Sequence, residues 1–233
     1  MERVSIISTH WGMHEQRSEV MRRCYQSLIE TTKHLPVEII VCDNGGSLED
    51  SQYLLNLCNE KKIHHYVRNS ENLYFGWGRN IGVHISSGEY LVFTDNDIEY
   101  RQGWLEECIS VLVQNPDRKI LMTPLRTDRE HRNVRHWSGT IDANGKTYLV
   151  NMRAGSNSWV MRREDFFKIG WFRNHHIAGS KWNDSFVKAG YLMATMEKDS
   201  LATDAGFKRG YNIRHHANIK KVFADGSELS INS

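Results

Sequence analysis

The chain has 233 residues, with 30 Lys and Arg against 28 Asp and Glu, for a formal charge of +2. That length suits one domain with a sizeable core, and 39% hydrophobic with 25% charged residues excludes a disordered chain. So small a net charge gives no ground for a bulk polyanion binder, and no apolar run approaches the ~18 residues of a membrane span.

Strand and helix signals alternate through the first half. Val4–Ser8 is a short β-branched run, and Glu19–Thr32 carries Met21, Cys24 and Leu28 at helical spacing. Val37–Cys42 is near-continuously apolar, the pattern of a strand buried on both faces. Leu48–Asn59 reads as helix, Ile63–Arg68 as strand, Asn80–Ser86 as a short helix and Tyr90–Thr94 as a second buried strand. Trp104–Gln114 is an amphipathic helix with Leu105, Cys108, Ile109 and Leu112 on one face, and Ile120–Thr123 is strand again. This alternation predicts an α/β fold with a doubly wound, mostly parallel sheet. Ligands of such sheets sit beyond the carboxyl ends of the strands.

The second half differs. Residues 126–136 form a polar loop rich in Arg and His, and Asn144-Gly145 marks a hairpin within Ile141–Val150. Ser158–Met161 reads as strand, Arg163–Ile169 as helix, and Asn183–Ala189 as a helix closed by Gly190. Two functional halves of one domain are expected: residues 1–124 binding a nucleotide, and residues 125–233 forming a smaller, mixed acceptor side. Cys24, Cys42, Cys58 and Cys108 are too far apart for a C-x-x-C pair and are expected as buried free thiols. The chain enters its first strand directly after Met1-Glu2-Arg3, so no signal peptide and a cytoplasmic location, with room for peripheral membrane attachment, are expected.

The sharpest local feature is Thr94-Asp95-Asn96-Asp97 directly after Tyr90–Phe93. Carboxylates at i and i+2 at the tip of a buried strand suit a hard divalent cation, which would neutralise a diphosphate. The plainer reading is a turn in which Asp and Asn cap their own backbone. Asp43-Asn44-Gly45-Gly46 follows the preceding buried strand at the same edge, where a carboxylate could meet a base or ribose and the glycines could let backbone approach a ligand. Gly76-Trp77-Gly78-Arg79-Asn80 precedes the expected helix, whose amides and Arg79 could serve a phosphate. Each of these two stretches also reads as an ordinary turn or cap.

The ordered set is more specific than its parts. Ser8-Thr9-His10 after one strand, Asp43-Asn44-Gly45-Gly46 after the next, the run from Asn72 to Asp97, and Val160–Phe172 together resemble the GT-A glycosyltransferases of the large inverting family 2, which includes polysaccharide synthases and O-antigen and capsule transferases. The resemblance spans roughly residues 3–190 and is strongest up to Asp97. It implies a Rossmann-like GT-A fold and transfer from a nucleotide-sugar, most often a UDP-sugar, with inversion. It places Thr9 beside the nucleotide, Asp43 at the base, Asn44 in the donor site, and Arg79 near the nucleotide and diphosphate. Asp95 and Asn96 fall in the donor site, with Asp97 as the direct ligand of Mn²⁺ or Mg²⁺ and Asp95 binding ribose or a metal-bound water, so that both carboxylates serve the metal. A third ligand from a C-terminal histidine, His215 or His216, is implied.

The chain departs from the family at the base. Where an acidic pair is usual before Gly190-Tyr191, it carries Ala178-Gly179. Asp184 is then the expected general base, its alternative role being an N-cap of the following helix. Asp165 is the weaker candidate. On the acceptor side stand Trp159, Trp182 and the cluster Arg126, Arg129, Arg132 and Arg135, read either as a lid or as a surface for an anionic acceptor. The acceptor classes left open are a glycan, a lipid-linked glycan and a modified DNA base. Two other readings compete. A nucleotidyltransferase would need a Gly-rich basic loop after the first strand, and Ser8–Gly12 is not one. A non-catalytic nucleotide-sugar or glycan-binding module of the same fold would bind donor without turnover.

Overall fold

The computed structural model describes residues 2–12, 15–124, 139–143, 145–152, 158–173, 178–196, 201–205, 221–222 and 228–229. The first strand, β1 (Val4–His10), is buried along its whole length. Its side chains alternate faces, so Val4 and Ile6 enter one core and Ile7 the other. Helix α1 (Glu15–Thr32) lays Met21, Tyr25 and Leu28, spaced four and three apart, against the first of these cores. Strand β2 (Val37–Asp43) pairs parallel with β1, and α2 (Leu48–Asn59) is capped where Ser47 Oγ accepts from the Asp50 amide at 3.1 Å. Strand β3 (His65–Arg68) forms the edge beyond β2.

Helix α3 (Tyr74–Ile85) crosses the second face and leads into β4 (Tyr90–Asp95), which pairs parallel with β1 on the side opposite β2. The short β5 (Ile98–Tyr100), α4 (Trp104–Gln114) and β6 (Ile120–Thr123) follow. The hairpin β7 (Gly139–Ala143) and β8 (Lys146–Asn151) turns at Gly145, where φ is 69°. Strand β9 (Ser158–Arg162) inserts antiparallel between β4 and β6, ahead of α5 (Arg163–Ile169), α6 (Ala178–Lys188) and β10 (Leu192–Met196). Strand β11 (Ala202–Asp204) pairs with β5, and β12 (Lys221–Val222) with β13 (Glu228–Leu229). One nine-stranded sheet, ordered β3-β2-β1-β4-β9-β6-β10-β8-β7, thus runs through both halves of the chain. The Arg126–Trp137 loop, with Arg132 and Arg135, and His215 and His216 lie outside the described residues.

Three helices begin earlier than their sequence pattern suggested: α1 at Glu15 rather than Glu19, and two more whose shifts matter for the site. Helix α3 starts at Tyr74 rather than Asn80. Gly76 and Gly78, read as breakers, lie inside it, because the helix presses onto β1: a Cβ on Gly78 would stand 2.7 Å from Thr9 Cγ2. Packing overrides the weak helix propensity of glycine. The Gly76–Asn80 amides are therefore helical backbone, and the expected phosphate loop is corrected to the first turns of α3. Helix α6 starts at Ala178, anchored by Trp182 and Phe186 one turn apart in the second core. Asp184 is accordingly inside the helix and not its N-cap.

Among the described residues no helix is long and apolar enough to cross a membrane. All four cysteines are free; Cys24, Cys42 and Cys108 are buried, while Cys58 is only half-buried.

Candidate active site

The parallel register sets Thr9 level with Cys42 on one side and Asp95 on the other, and His10 level with Asp43. From β1 the chain proceeds outward to β2 and β3, then returns across to β4. The point where strand order reverses is therefore between β1 and β4, and the crevice there is where an α/β sheet binds ligand. Asp95-Asn96-Asp97 leaves β4 at that crevice.

Each side chain of this turn is held by a different element. Asp95 Oδ1 accepts from Arg79 Nη2 of α3 at 2.8 Å. Asn96 Nδ2 meets His10 Nδ1 of β1 at 2.9 Å. Asp97 Oδ2 lies 3.5 Å from Arg17 Nη1 of α1. The Asp97 carbonyl accepts from the Ala205 amide at 2.8 Å, so the C-terminal segment reaches the same turn through β11. Behind it, Tyr100 OH joins Thr94 Oγ1 at 2.6 Å and Ser158 Oγ at 2.8 Å, tying β4 to β5 and β9.

Several expected contacts are corrected by burial. Arg79 is 1% exposed, and its guanidinium carbon lies 4.8 Å from the Phe75 ring centre and 5.0 Å from that of Trp159. Burial pulls its pKa down while Asp95 opposes the shift. In this position Arg79 supports Asp95 from within the aromatic core and presents almost no surface of its own to the crevice. Trp159 and Trp182, expected on the acceptor side, are 2% and 1% exposed and stack on each other at 4.7 Å. They are core, because β9 is an interior strand and α6 packs over it.

Asp43 is fully buried as well. Its Oδ1 accepts from the Gly46 amide at 2.8 Å, and its Oδ2 accepts from Ser51 Oγ at 2.6 Å and Tyr66 OH at 2.8 Å. Burial first, and then Asp43 itself, push the Tyr66 phenol up to about 12. Asn44 donates to the Tyr74 carbonyl at 2.9 Å and accepts from Asn69 at 2.9 Å. As they stand, these two residues shape the loop after β2, and the Asp43 carboxylate expected at the base is engaged by Gly46, Ser51 and Tyr66. Gly46, expected to admit a ligand, makes room for His10 instead: a Cβ there would lie 2.7 Å from Nε2. Among the described residues, Trp11, Tyr74 and Trp77 are large hydrophobic residues exposed after β1 and at the start of α3, at 38%, 42% and 43%. Tyr74 adopts a φ of 58°, its amide held by Asn72 Oδ1 at 2.8 Å.

Asp184 is exposed on α6, about 9 Å along the helix from Ala178 at 1.5 Å per residue. Asp165 is corrected: it accepts from Tyr191 OH at 2.8 Å and lies 3.3 Å from Arg162, a buried brace between α5 and the start of β10.

His10, Asp50 and Arg17 stand around the candidate site, and sequence reasoning did not single them out. Arg17 and Asp50 lie on helical segments with nothing in their local sequence to distinguish them. The one available signal for His10 was its place at the end of a buried strand.

A hard cation needs oxygen donors, and Asp95 and Asp97 supply carboxylates at the crevice. Among the described residues no third His, Cys, Asp or Glu completes a cluster with them. That fits Mg²⁺ or Mn²⁺ held by one or two carboxylates together with substrate phosphates, rather than by a closed protein cage.

The sheet order and the carboxylates at its switch point make this an α/β architecture of the GT-A class. The model of the glycosyl transferase family 2 matches residues 13–170, and the chain belongs to that family. It is 28% identical over 135 residues to a putative polypeptide N-acetylgalactosaminyltransferase 13 of Drosophila melanogaster, covering 52% of this chain and 22% of that protein. Among solved structures it is similar to S. aureus TarS, at TM-score 0.65 and 11% identity over 87% of this chain and 36% of that one. It is likewise similar to GalNAc-T7 solved with UDP, GalNAc and Mn²⁺, at TM-score 0.65 and 14% identity over 88% of this chain and 44% of that one. The chain spans between 18% and 37% of the length of three curated relatives that it matches.

Proposed function

We propose that the chain is a glycosyltransferase that moves a sugar from a nucleotide-sugar, with a UDP-sugar favoured, to the hydroxyl of a glycan acceptor, with inversion. The observation that carries this reading is the Asp95-Asn96-Asp97 turn, fixed by three separate elements at the switch point of the sheet. Family membership and the UDP and Mn²⁺ of the GalNAc-T7 structure support it. A lipid-linked or DNA acceptor gains no support from the relatives.

In this mechanism Asp97 and Asp95 would hold Mn²⁺ or Mg²⁺, which supplies charge neutralisation to the departing diphosphate. Arg17, at the mouth of the same turn, adds positive charge near the leaving group. The rings of Trp11, Tyr74 and Trp77 offer stacking surfaces for the base, over a loop shaped by Asp43 and Asn44. Thr9 lies at the floor of the crevice under Gly78. Asp184 is the carboxylate assigned to take the proton of the acceptor hydroxyl as its oxygen attacks the anomeric carbon. As the new bond forms, the bond to the diphosphate breaks and its electron pair leaves with the phosphate oxygen.

The test is thermal stabilisation by nucleoside diphosphates, with Mn²⁺ and with EDTA. A ligand at a hundred times its Kd stabilises by about 2.7 kcal/mol. Metal-dependent stabilisation by UDP that disappears in Asp97→Ala is the expected result. Equal melting with and without every nucleotide and metal would sink the proposal.

A further inference from the structure

We infer that His10 is a positioning residue for the donor site, acting through Asn96 and set in one tautomer by Asp50. The inference rests on the reading of the Asp95-Asn96-Asp97 turn as the place where diphosphate and cation bind.

The His10 and Asp50 side chains are both 0% exposed, with Nε2 3.4 Å from Oδ2, an ion-pair approach in which Nε2 has no closer polar partner. Asp50 belongs to the first turn of α2, and its Oδ2 also accepts from Ser18 Oγ of α1 at 2.8 Å. Burial alone would raise the Asp50 pKa, but the approach of His10, the Ser18 hydroxyl and Ser47 outweigh it and hold the group below the ordinary carboxylate range. A buried carboxylate facing an imidazole nitrogen favours a proton on that nitrogen. A neutral ring protonated at Nε2 has a lone pair at Nδ1. That lone pair accepts from the Asn96 amide at 2.9 Å. The direction of the Asn96 side chain, and with it the backbone between the two aspartates, is thus specified from α1 and α2 through one ring.

The ring has no freedom to do otherwise. A Cβ on Gly46 would come within 2.7 Å of Nε2 and 2.9 Å of Cδ2, and one on Gly12 within 3.4 Å of Cε1. The Gly46 loop therefore carries a hydrogen where any other residue would displace the ring, while at Gly12 a Cβ would make ordinary contact with it. A polar ring so enclosed, with one nitrogen aimed at the residue between two candidate metal ligands, is placed for orientation. It is too deep to touch a substrate. Residues that orient metal ligands in this way typically matter 10- to 100-fold for affinity or activity.

Two isosteric replacements separate this role from simple packing. In His10→Asn the amide oxygen takes the place of Nδ1 and keeps the bond to Asn96 while losing Asp50. In His10→Gln the amide nitrogen takes the place of Nε2 and keeps Asp50 while losing Asn96. The experiment measures the Kd for Mn²⁺ with UDP and the KM and kcat for donor, with melting temperature as the fold control. The expected result is that His10→Gln and Asn96→Ala weaken metal-dependent UDP binding and raise KM by roughly 10- to 100-fold. His10→Asn binds within a few-fold of wild type even though it melts lower. A responsive wild type with His10→Gln and Asn96→Ala as tight as wild type overturns the inference while leaving the site reading intact. A wild type indifferent to Mn²⁺ and UDP overturns the site reading itself. Independently of any variant, nitrogen-15 NMR of the histidine rings should show His10 protonated at Nε2 alone, and a proton on Nδ1 at neutral pH overturns the inference.

Discussion

Arg79 Nη2 stands 2.8 Å from Asp95 Oδ1, with the arginine side chain 1% exposed and the aspartate side chain 32% exposed. The cation is inside the protein and the anion reaches out of it. Asp95 can therefore be hydrated without Arg79, but Arg79 is enclosed by rings and depends on Asp95. Removing the anion strands a buried charge, which costs about 3–5 kcal/mol. Asp97 is 9% exposed and pairs at 3.5 Å with an Arg17 that is 24% exposed, so its removal leaves a cation that can turn toward solvent and costs less than stranding Arg79. Asp95→Ala should therefore unfold at a clearly lower urea midpoint than Asp97→Ala. Equal midpoints would show that Arg79 finds another anion or is not buried in solution.

Trp77 exposes a large ring one residue before the contact between Gly78 and Thr9. If a base stacks there, Trp77→Ala should raise the Kd for UDP about 10-fold, the range of one aromatic–base stack, and leave the melting temperature of the free protein nearly unchanged. Titration calorimetry with UDP and Mn²⁺ checks it. An unaltered Kd moves the base to Trp11 or Tyr74.

Asp184→Asn should lower kcat by about two decades or more if Asp184 is the base, with UDP binding unchanged. Its exposed place on α6, well beyond the N-terminus of the helix, makes this the most exacting test of the catalytic assignment. Full turnover in the variant would remove Asp184 from the mechanism. Donor binding without any turnover in the wild type would favour a non-catalytic module.

Acid should loosen the edge of the sheet opposite the crevice. Glu38 accepts from Ser5 Oγ at 2.6 Å, the Ser87 amide at 2.5 Å and the Gly88 amide at 3.1 Å, closing the turn between α3 and β4. Its burial opposes ionisation, yet these bonds win and hold its pKa below the ordinary value. A carboxylate depressed in the folded state contributes stability that is complete above its unfolded pKa, near ~4.3, and is lost as pH falls through the folded value. Melting temperature should therefore fall below about pH 4, with a shallower acid limb in Glu38→Gln. Identical acid limbs in the two proteins would exclude Glu38 as a contributor.

Gly78→Ala should destabilise despite the better helix propensity of alanine, about 1 kcal/mol in an exposed helix. The new methyl would meet Thr9 Cγ2 at 2.7 Å, and overpacking of this kind typically costs 1–3 kcal/mol. The crevice floor moves with it, so UDP binding should weaken too. A more stable Gly78→Ala would show that α3 can slide away from β1 without cost.

By itself the sequence determined the layers and the sheet edge at which the candidate site lies. Buried parallel strands read as unbroken apolar runs, so Val37–Cys42 and Tyr90–Thr94 were legible, and the polar residues directly after them marked the carboxyl edge. Helices with one strong apolar face, such as Leu48–Asn59 and Trp104–Gln114, matched to the residue. Local pattern could not say which side of that edge a polar residue faces. Arg79 and Asp43 look like ligands in the chain, yet the structure turns Arg79 into the aromatic core and Asp43 into its own loop. Only the tertiary structure decided that, because burial is fixed by which elements cross above a residue. It also decided that His10, Asp50 and Ser18, on three elements up to 40 residues apart, meet behind Asn96. Short-range patterns record what one element needs for its own face, whereas a site built where four elements converge is specified by their packing.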